Sequence, residues 1–274
     1  MVTGLGAEAG AALAAHPGVD HLSFTGSTAT ATRVAEAAVQ RHCPVTLELG
    51  GKSPQIVFED ADLDEALPTI VNAIAQNAGQ TCSAGSRLLV QRSVYEAVLD
   101  RLASRFEALV AGPPALGPDM GPPINRRQFD QVRRFLETAQ ADGLPVAARG
   151  TIHPDAAPGG FYLQAVLLSD VSPDHRLAQQ EIFGPVLVAM PFEDEAEAIR
   201  LAIGTPYGLV AGVWTRDGAR SFRMARRLRS GQVFVSIYGV LILRLGNAGA
   251  QRAGWYRKES RCSGSSSATC RSTT

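Results

Sequence analysis

Short apolar runs alternate with segments of helical periodicity over most of this 274-residue chain. The apolar runs predict strands at 21–24, 44–49, 87–90, 161–168, 186–190, 210–215 and 232–237. The periodic segments predict helices at 28–41, 62–78, 125–141, 194–203 and 217–229, and one more after a capping box from Ser93 to Glu96. Strands and helices that alternate in this way favour a mostly parallel sheet covered by helices. The sequence therefore predicts an α/β fold.

The composition argues against several classes of partner. The chain carries 26 basic and 26 acidic residues and has no net charge, which argues against nucleic acid or an anionic membrane as the main partner. No run approaches 18 apolar residues, and the first residues lack the basic and apolar regions of a secretory leader. We therefore expect a protein that does not span a membrane.

The cysteines and histidines do not form metal-binding patterns. The four cysteines, at 43, 82, 262 and 270, are too widely spaced for a metal clip or a disulfide framework. The five histidines have no partners at metal-ligand spacing, so we expect no metal site. Free thiols fit a reducing, cytoplasmic setting.

A cysteine and a glutamate lie in loops suited to covalent chemistry on a carbonyl group. Cys82 stands in the small, polar segment GQTCSAGSR. Glu48 lies at the end of a predicted strand in LELGGKSP, with one leucine between it and the two glycines Gly50 and Gly51. An isolated cysteine is more often a buried apolar group, and a lone glutamate at a strand end is more often solvated. The loop positions instead favour a nucleophile and a general base.

Two further segments carry features of a ligand site. Residues 24–28 (FTGST) predict a strand, a glycine turn at Gly26 and a helix start at Ser27, which together offer free backbone N–H groups to a phosphate. Taken alone this signal is weak, since many strand-to-helix turns contain glycine and serine. Residues 181–186 (EIFGPV) read, by themselves, as a strand start after a Gly-Pro turn.

Together, LELGGKSP, GQTCSAGSR, FTGST and EIFGPV resemble the motifs of the NAD(P)-dependent aldehyde dehydrogenase superfamily, in family order, and the likeness covers about residues 2–239. The resemblance implies that Cys82 is the nucleophile and Glu48 the general base. It further implies that the bound cofactor, NAD or NADP, is contacted by a set of five residues: Gly26, Ser27, Leu49, Glu181 and Phe183. Among these, Glu181 would hold the nicotinamide ribose and Phe183 would pack near the nicotinamide ring.

The resemblance also implies a reaction. Cys82 would attack a small-molecule aldehyde to form a thiohemiacetal, which loses hydride to the nicotinamide. Water deprotonated by Glu48 would then hydrolyse the thioester to a carboxylic acid. A relative that transfers the acyl group to CoA is disfavoured, because the hydrolytic base is present.

The implied architecture is the remainder of a Rossmann-type cofactor domain joined to an α/β catalytic domain. We predict a partial dinucleotide-binding domain at 1–50, a catalytic thiol domain at 51–238 and a non-matching, disordered tail at 239–274. Ala31 stands where the family usually has glycine, and Pro123 replaces a leucine.

Two functional alternatives follow from this architecture. The chain is either an aldehyde dehydrogenase or an inactive, truncated remnant of one. The family forms homo-oligomers, but the strand that it uses for association is not recognisable after Gly239, which argues against assembly here.

Overall fold

The computed structural model describes residues 1–236 and 242–243, and the predicted disordered tail lies almost wholly outside them. The strands are β1 Leu22–Gly26, β2 Val45–Leu49, β3 Pro54–Val57, β4 Arg87–Gln91, β5 Val110–Ala111, β6 Val146–Arg149, β7 Thr151–Ile152, β8 Val166–Leu168, β9 Val186–Phe192, β10 Val210–Trp214, β11 Gln232–Val235 and β12 Ile242–Leu243. The α-helices are α1 Ala11–Ala15, α2 Thr28–Val39, α3 Leu63–Ala75, α4 Tyr95–Glu107, α5 Arg126–Ala141, α6 Arg176–Gln179, α7 Glu195–Ala202 and α8 Gly218–Arg227.

A large mixed sheet forms the centre of the molecule. Its strand order is β12-β11-β10-β3-β4-β9-β8-β6, and the six strands from β11 to β8 run parallel. The two outer strands, β12 and β6, are antiparallel to their neighbours. The predicted α/β class with a mostly parallel sheet is confirmed.

The central strands are apolar on both sides because helices cover both faces of the sheet. Ile56 and Leu89 point to one face, where they join a buried cluster with residues of α5, α7 and α8. Val57, Leu88 and Val90 point to the other face and pack with residues of α3 and α4. Alternate residues of each strand thus belong to different halves of the core.

Residues 22–49 contribute a separate pair of parallel strands, β1 and β2. A small cluster centred on Ala14, Leu22 and Ala38 holds α1 and α2 against these strands. The register pairs Thr25 with Glu48 and Gly26 with Leu49. The carboxyl ends of both strands therefore place the glycine turn beside the glutamate segment.

Three of the sequence predictions need correction. Strand β3 was not predicted, although it lies between β10 and β4 inside the large sheet. The strand predicted at 161–168 contains only β8, since residues 161–165 have no regular structure. The capping box is wrong: Ser93 Oγ donates to Glu59 Oε2 at 2.8 Å, and α4 begins at Tyr95 after a short 3₁₀ turn.

The acidic run before α3 divides between two roles. Asp62 is the N-cap, and its carboxylate accepts from the backbone N–H groups of Asp64 and Glu65. Asp60 instead binds the start of α8, where it accepts from Thr215 Oγ1 and forms an ion pair with Arg220 at 2.8 Å. The helix predicted at 62–78 ends at Ala75.

Candidate active site

Four loops meet at the amino ends of neighbouring parallel strands. They are the segments that precede β3, β4, β9 and β10, and they carry residues 50–53, 79–86, 181–185 and 204–209. A Cβ atom built on Gly51 would collide with the carbonyl oxygen of Cys82 and would touch Leu209. One built on Gly79 would collide with the backbone of Gly184. Glycine at these positions lets the four loops pack backbone to backbone.

The Cys82 loop is shaped by an unusual run of backbone conformations. Asn77, Ala78 and Gly79 all adopt positive φ, at 52°, 53° and 73°. Non-glycine residues in this region cost free energy and collect at functional sites. Cys82 follows three residues later, half-buried, and its side chain packs against a small cluster with Leu209, Val210 and Phe234. The fold therefore holds a thiol at a fixed, partly accessible position.

Glu48 lies near the carboxyl end of β2 and is half-buried. Gly50 and Gly51 then carry the chain from the two-stranded sheet into β3 of the large sheet. A Cβ on Gly50 would collide with Glu181 Oε2, and the Gly51 N–H donates to Glu181 Oε1 at 3.1 Å. The segment after Glu48 therefore contacts both the Cys82 loop and Glu181.

Glu181 lines a small pocket beside the Cys82 loop and also a cleft at the start of α2. Burial raises the pKa of its carboxyl group, which the Gly51 N–H and the charge of Lys52 oppose. Its own backbone N–H donates to the Tyr207 hydroxyl at 3.4 Å. Two residues later, Phe183 adopts a left-handed backbone with φ of 58°, and its carbonyl accepts from Gln128 Nε2 at 2.8 Å.

The glycine turn faces the same region as Glu181. Ser27 is the N-cap of α2, and its hydroxyl accepts from the Thr30 N–H. A cleft is lined by Ser27, Thr28, Glu181 and Tyr207, together with residues of α5 and α6. The N-terminus of α2 and the Glu181 carboxylate therefore lie on one surface, although they are far apart in sequence.

In the structure, four of the predicted cofactor residues form two pairs of neighbours. Gly26 and Leu49 are register partners at the ends of β1 and β2. Glu181 and Phe183 line a small pocket with Gly51 and Thr81, next to Cys82. Ala31, which replaces the expected glycine, is buried within α2 and lines an apolar cleft beside Leu49.

Sequence reasoning missed three polar residues of this region, namely Lys52, Tyr207 and Gln128. Lys52 lies in the LELGGKSP segment, where the sequence indicated only Glu48 as a catalytic candidate, and Tyr207 lies in none of the four quoted segments. Gln128 gave no signal, because its partner Phe183 lies 55 positions away and is contacted only in the folded chain.

The described part of the chain has neither a cluster of metal-ligating side chains nor a membrane-spanning helix. In residues 1–236 and 242–243, no group of three or more His, Cys, Asp or Glu side chains could hold a metal ion. Over the same ranges, no helix is both long and apolar enough to cross a bilayer.

Known proteins match this chain over nearly all of its length. The aldehyde dehydrogenase family matches residues 1–261. The chain belongs to this family. The chloroplastic betaine aldehyde dehydrogenase of Beta vulgaris is 39% identical over 259 residues, which cover 94% of this chain and 52% of that relative. This family member therefore spans about half the length of the curated relatives it matches.

Solved aldehyde dehydrogenase structures share the same fold. An aldehyde-dehydrogenase-like protein from Burkholderia cenocepacia is 63% identical, with a TM-score of 0.86, over 87% of this chain and 50% of that protein. The NAD⁺ complex of an aldehyde dehydrogenase from Bacillus cereus is 38% identical, with a TM-score of 0.83, over 93% of this chain and 50% of that protein.

Proposed function

We propose that this chain oxidises a small-molecule aldehyde to a carboxylic acid with NAD or NADP, using Cys82 as nucleophile and Glu48 as general base. The observation that carries the proposal is the short segment from Leu49 to Lys52, which directly follows Glu48. In it, Gly51 lies against the carbonyl of Cys82 and donates a hydrogen bond to Glu181. The three groups that the reaction needs are thereby linked through one short stretch of backbone.

The residues around the cleft fit a dinucleotide. The capped N-terminus of α2 offers backbone N–H groups and a positive dipole end, which suit a pyrophosphate. Glycine at position 50 leaves the space beside the Glu181 carboxylate that a Cβ atom would fill. We assign Gly26, Ser27 and Leu49 to the pyrophosphate side, and Glu181 and Phe183 to the nicotinamide side. When bound, the nicotinamide supplies the hydride acceptor.

Cys82 and Glu48 divide the remaining chemistry between them. The Cys82 thiolate adds to the aldehyde carbon, forming a C–S bond and a tetrahedral thiohemiacetal that is then oxidised to a thioester. Glu48 takes a proton from a water molecule, whose oxygen attacks the thioester carbonyl. The C–S bond breaks, which releases the carboxylic acid and the Cys82 thiolate, and Glu48 then gives its proton to solvent.

The test is turnover of the purified chain with a panel of aldehydes, followed through nicotinamide absorbance. Cys82→Ala is expected to abolish turnover because alanine lacks the sulfur atom that forms the thioester in the proposed reaction. Cys43→Ala is the matched control, since the Cys43 thiol is half-buried and donates to the Val19 carbonyl within the small cluster of α1 and α2. Turnover that survives in Cys82→Ala would contradict the role of Cys82, and Cys43→Ala should remain active.

Glu48→Gln separates the two half-reactions. We expect steady-state turnover to fall by about 10²- to 10⁴-fold while the thioester still forms, since a general base contributes about that factor. Intact-protein mass spectrometry should then detect the acyl group on Cys82. Folded protein that neither turns over aldehyde nor binds cofactor would instead support the alternative of an inactive remnant.

We further propose a cytoplasmic location, and that this chain does not form the homo-oligomers of its family. The absence of a metal-clip or disulfide cysteine pattern supports the first, although the name of one relative places that protein in chloroplasts. Sedimentation of the purified chain tests the second.

A further inference from the structure

The chain enters the Cys82 loop through a strained backbone turn. Asn77 and Ala78 adopt left-handed conformations with φ of 52° and 53°, and Gly79 follows at 73°. This conformation is unfavourable for a residue with a Cβ atom, and Ala78 has no polar side chain that could form a compensating local hydrogen bond. Ala78 is also only 2% exposed. Contacts from outside the turn are therefore needed to hold it in this shape.

The Gln80 side chain supplies two such contacts, both with backbone groups. Its Nε2 donates to the Asn77 carbonyl at 2.9 Å, which also accepts from the Gln80 backbone N–H at 3.1 Å. Its Oε1 accepts from the Ile124 backbone N–H at 2.9 Å. A carbonyl only accepts and an N–H only donates, so the two partners fix the orientation of the amide. One side chain thus joins the start of the left-handed turn to a residue 44 positions away.

The segment that carries the Ile124 N–H is stiff and is fixed at its far end. Two prolines, at 122–123, precede it, and the proline ring restricts the backbone φ. Asn125, which follows, is the N-cap of α5. In the first turn of this helix, Gln128 Nε2 donates to the Phe183 carbonyl at 2.8 Å. The start of α5 therefore contacts both the cysteine loop and the loop proposed to lie beside the nicotinamide.

We propose that Gln80 is a positioning residue, which holds the left-handed turn against the start of α5 and thereby fixes the Cys82 sulfur relative to the Phe183 loop. The inference rests on the proposed function, in which Cys82 is the nucleophile. Gln80 acts through the backbone between residues 77 and 82, and its amide takes no part in the chemistry. Such alignment matters because a misplacement of about 1 Å can cost on the order of 10²-fold in rate.

Alkylation of the cysteines tests the inference without cofactor or substrate. Gln80→Met keeps the approximate length of the side chain and removes both hydrogen bonds. With iodoacetamide as the probe, the alkylation rate of Cys82 should rise by about tenfold, since the loss of two hydrogen bonds favours opening of the turn by roughly that factor. Digestion and mass spectrometry measure the rate at each thiol. An unchanged rate at Cys82 would overturn the inference.

Two controls distinguish a local change from a general loss of folding. Cys43 packs with the small cluster of α1 and α2, and its alkylation rate should be the same in Gln80→Met as in the unchanged chain. Gln140→Met replaces an exposed glutamine near the end of α5 and should alter the rate at neither thiol. An equal increase at both thiols in Gln80→Met would mean that the substitution destabilises the whole fold, and would overturn the positioning role.

Relief of the backbone strain tests how Gln80 acts. Glycine adopts positive φ without the cost that alanine incurs, so Ala78→Gly should stabilise the turn. In the Gln80→Met background it should lower the alkylation rate of Cys82 by about threefold. Ala97→Gly, at an exposed position of α4, is the matched control and should not lower that rate. A rate that stayed high with Ala78→Gly would show that Gln80 does not act through the left-handed turn.

Turnover gives a second readout. In Gln80→Met, kcat should fall on the order of tenfold to 10²-fold, because the sulfur is less well aligned. The KM for the cofactor should change little, since Ser27 and Glu181 form no hydrogen bond to Gln80. A raised KM with an unchanged kcat would instead indicate a loss of uniform binding and would overturn the inference.

Failure of the inference and failure of the proposed function give different results. Alkylation reports the turn whether or not the chain oxidises an aldehyde. If the unchanged chain showed no turnover with any aldehyde, the proposed function would fail, whereas a selective rise at Cys82 in Gln80→Met would still establish that Gln80 positions the thiol.

Discussion

The most distinctive residue of this site is Lys52, a buried lysine that directly follows Gly50 and Gly51. Lys52 is retained in a dry environment where neutral side chains of similar size would be more stable. Active sites commonly keep such costly groups and draw on the stability of the surrounding fold. A neutral side chain of similar size at position 52 is therefore expected to stabilise the fold.

Lys52→Met should raise the free energy of unfolding near pH 7 by roughly 1 to 4 kcal/mol. The folded-state pKa of Lys52, about 7, lies below its ordinary value of 10.5, so between these values the unfolded chain holds a proton that the folded chain has lost. The unchanged chain should thus gain stability as pH rises through this window. Urea unfolding at several pH values measures both effects. If the free energy of unfolding of Lys52→Met depended on pH as steeply as that of the unchanged chain, the lowered pKa of Lys52 would be contradicted.

Gly50→Ala should weaken cofactor binding at least tenfold, because the added methyl group would collide with the Glu181 carboxylate. The glutamate would have to leave the position in which it accepts from Gly51. Gly121→Ala is the matched control, since a Cβ atom there meets nothing within 4 Å. Calorimetry with NAD⁺ compares the two variants, and equal affinities would disprove the predicted close approach.

At the scale of elements, Arg87 joins the start of β4 to the end of α7. Its guanidinium is 3% exposed and donates to carbonyls of Lys52, Leu201 and Ala202. A cation at a helix C-terminus satisfies carbonyls that have no partner within the helix. Burial lowers its pKa to about 10, which still leaves it charged at neutral pH.

Arg87→Lys should lower the free energy of unfolding by about 2 kcal/mol or more. A lysine keeps the charge but cannot reach three carbonyls on two elements, so buried acceptors lose their partners. Arg149→Lys on the edge strand β6 is the control, because that side chain is exposed and should tolerate the change. Equal urea midpoints for both variants would refute the proposed link.

At the scale of the whole molecule, two sheets must be held together for the cofactor cleft to exist. Ser27 belongs to the two-stranded sheet region, and Glu181 precedes a strand of the eight-stranded sheet. A ligand that bridges them should stabilise both against unfolding.

Saturating NAD⁺ should therefore raise the melting temperature of the chain. At a ligand concentration of 100 times Kd, the stabilisation amounts to about 2.7 kcal/mol. Differential scanning fluorimetry with NAD⁺ and NADP⁺ measures the shift. Gly50→Ala should remove it, whereas Gly121→Ala should retain it. A folded chain that shows no shift with either cofactor would favour the inactive remnant.

Sequence alone determined the α/β class, most helices and strands, and the motifs that carry the family resemblance. These depend on local periodicity, caps and glycine turns, which are written within a few neighbouring residues. Strand β3 was missed because its four residues directly follow a glycine loop and begin with proline, so that no flanking pattern marks them.

Tertiary structure decided the environment of the site. The Gly51 to Glu181 hydrogen bond joins residues 130 positions apart, and Arg87 reaches α7 across 114 positions. Burial, counter-charge and pKa depend on which distant elements pack together, and no local pattern specifies that. The sequence therefore identified Cys82, Glu48 and Glu181 as candidates, while only the folded chain revealed Lys52 as their buried neighbour.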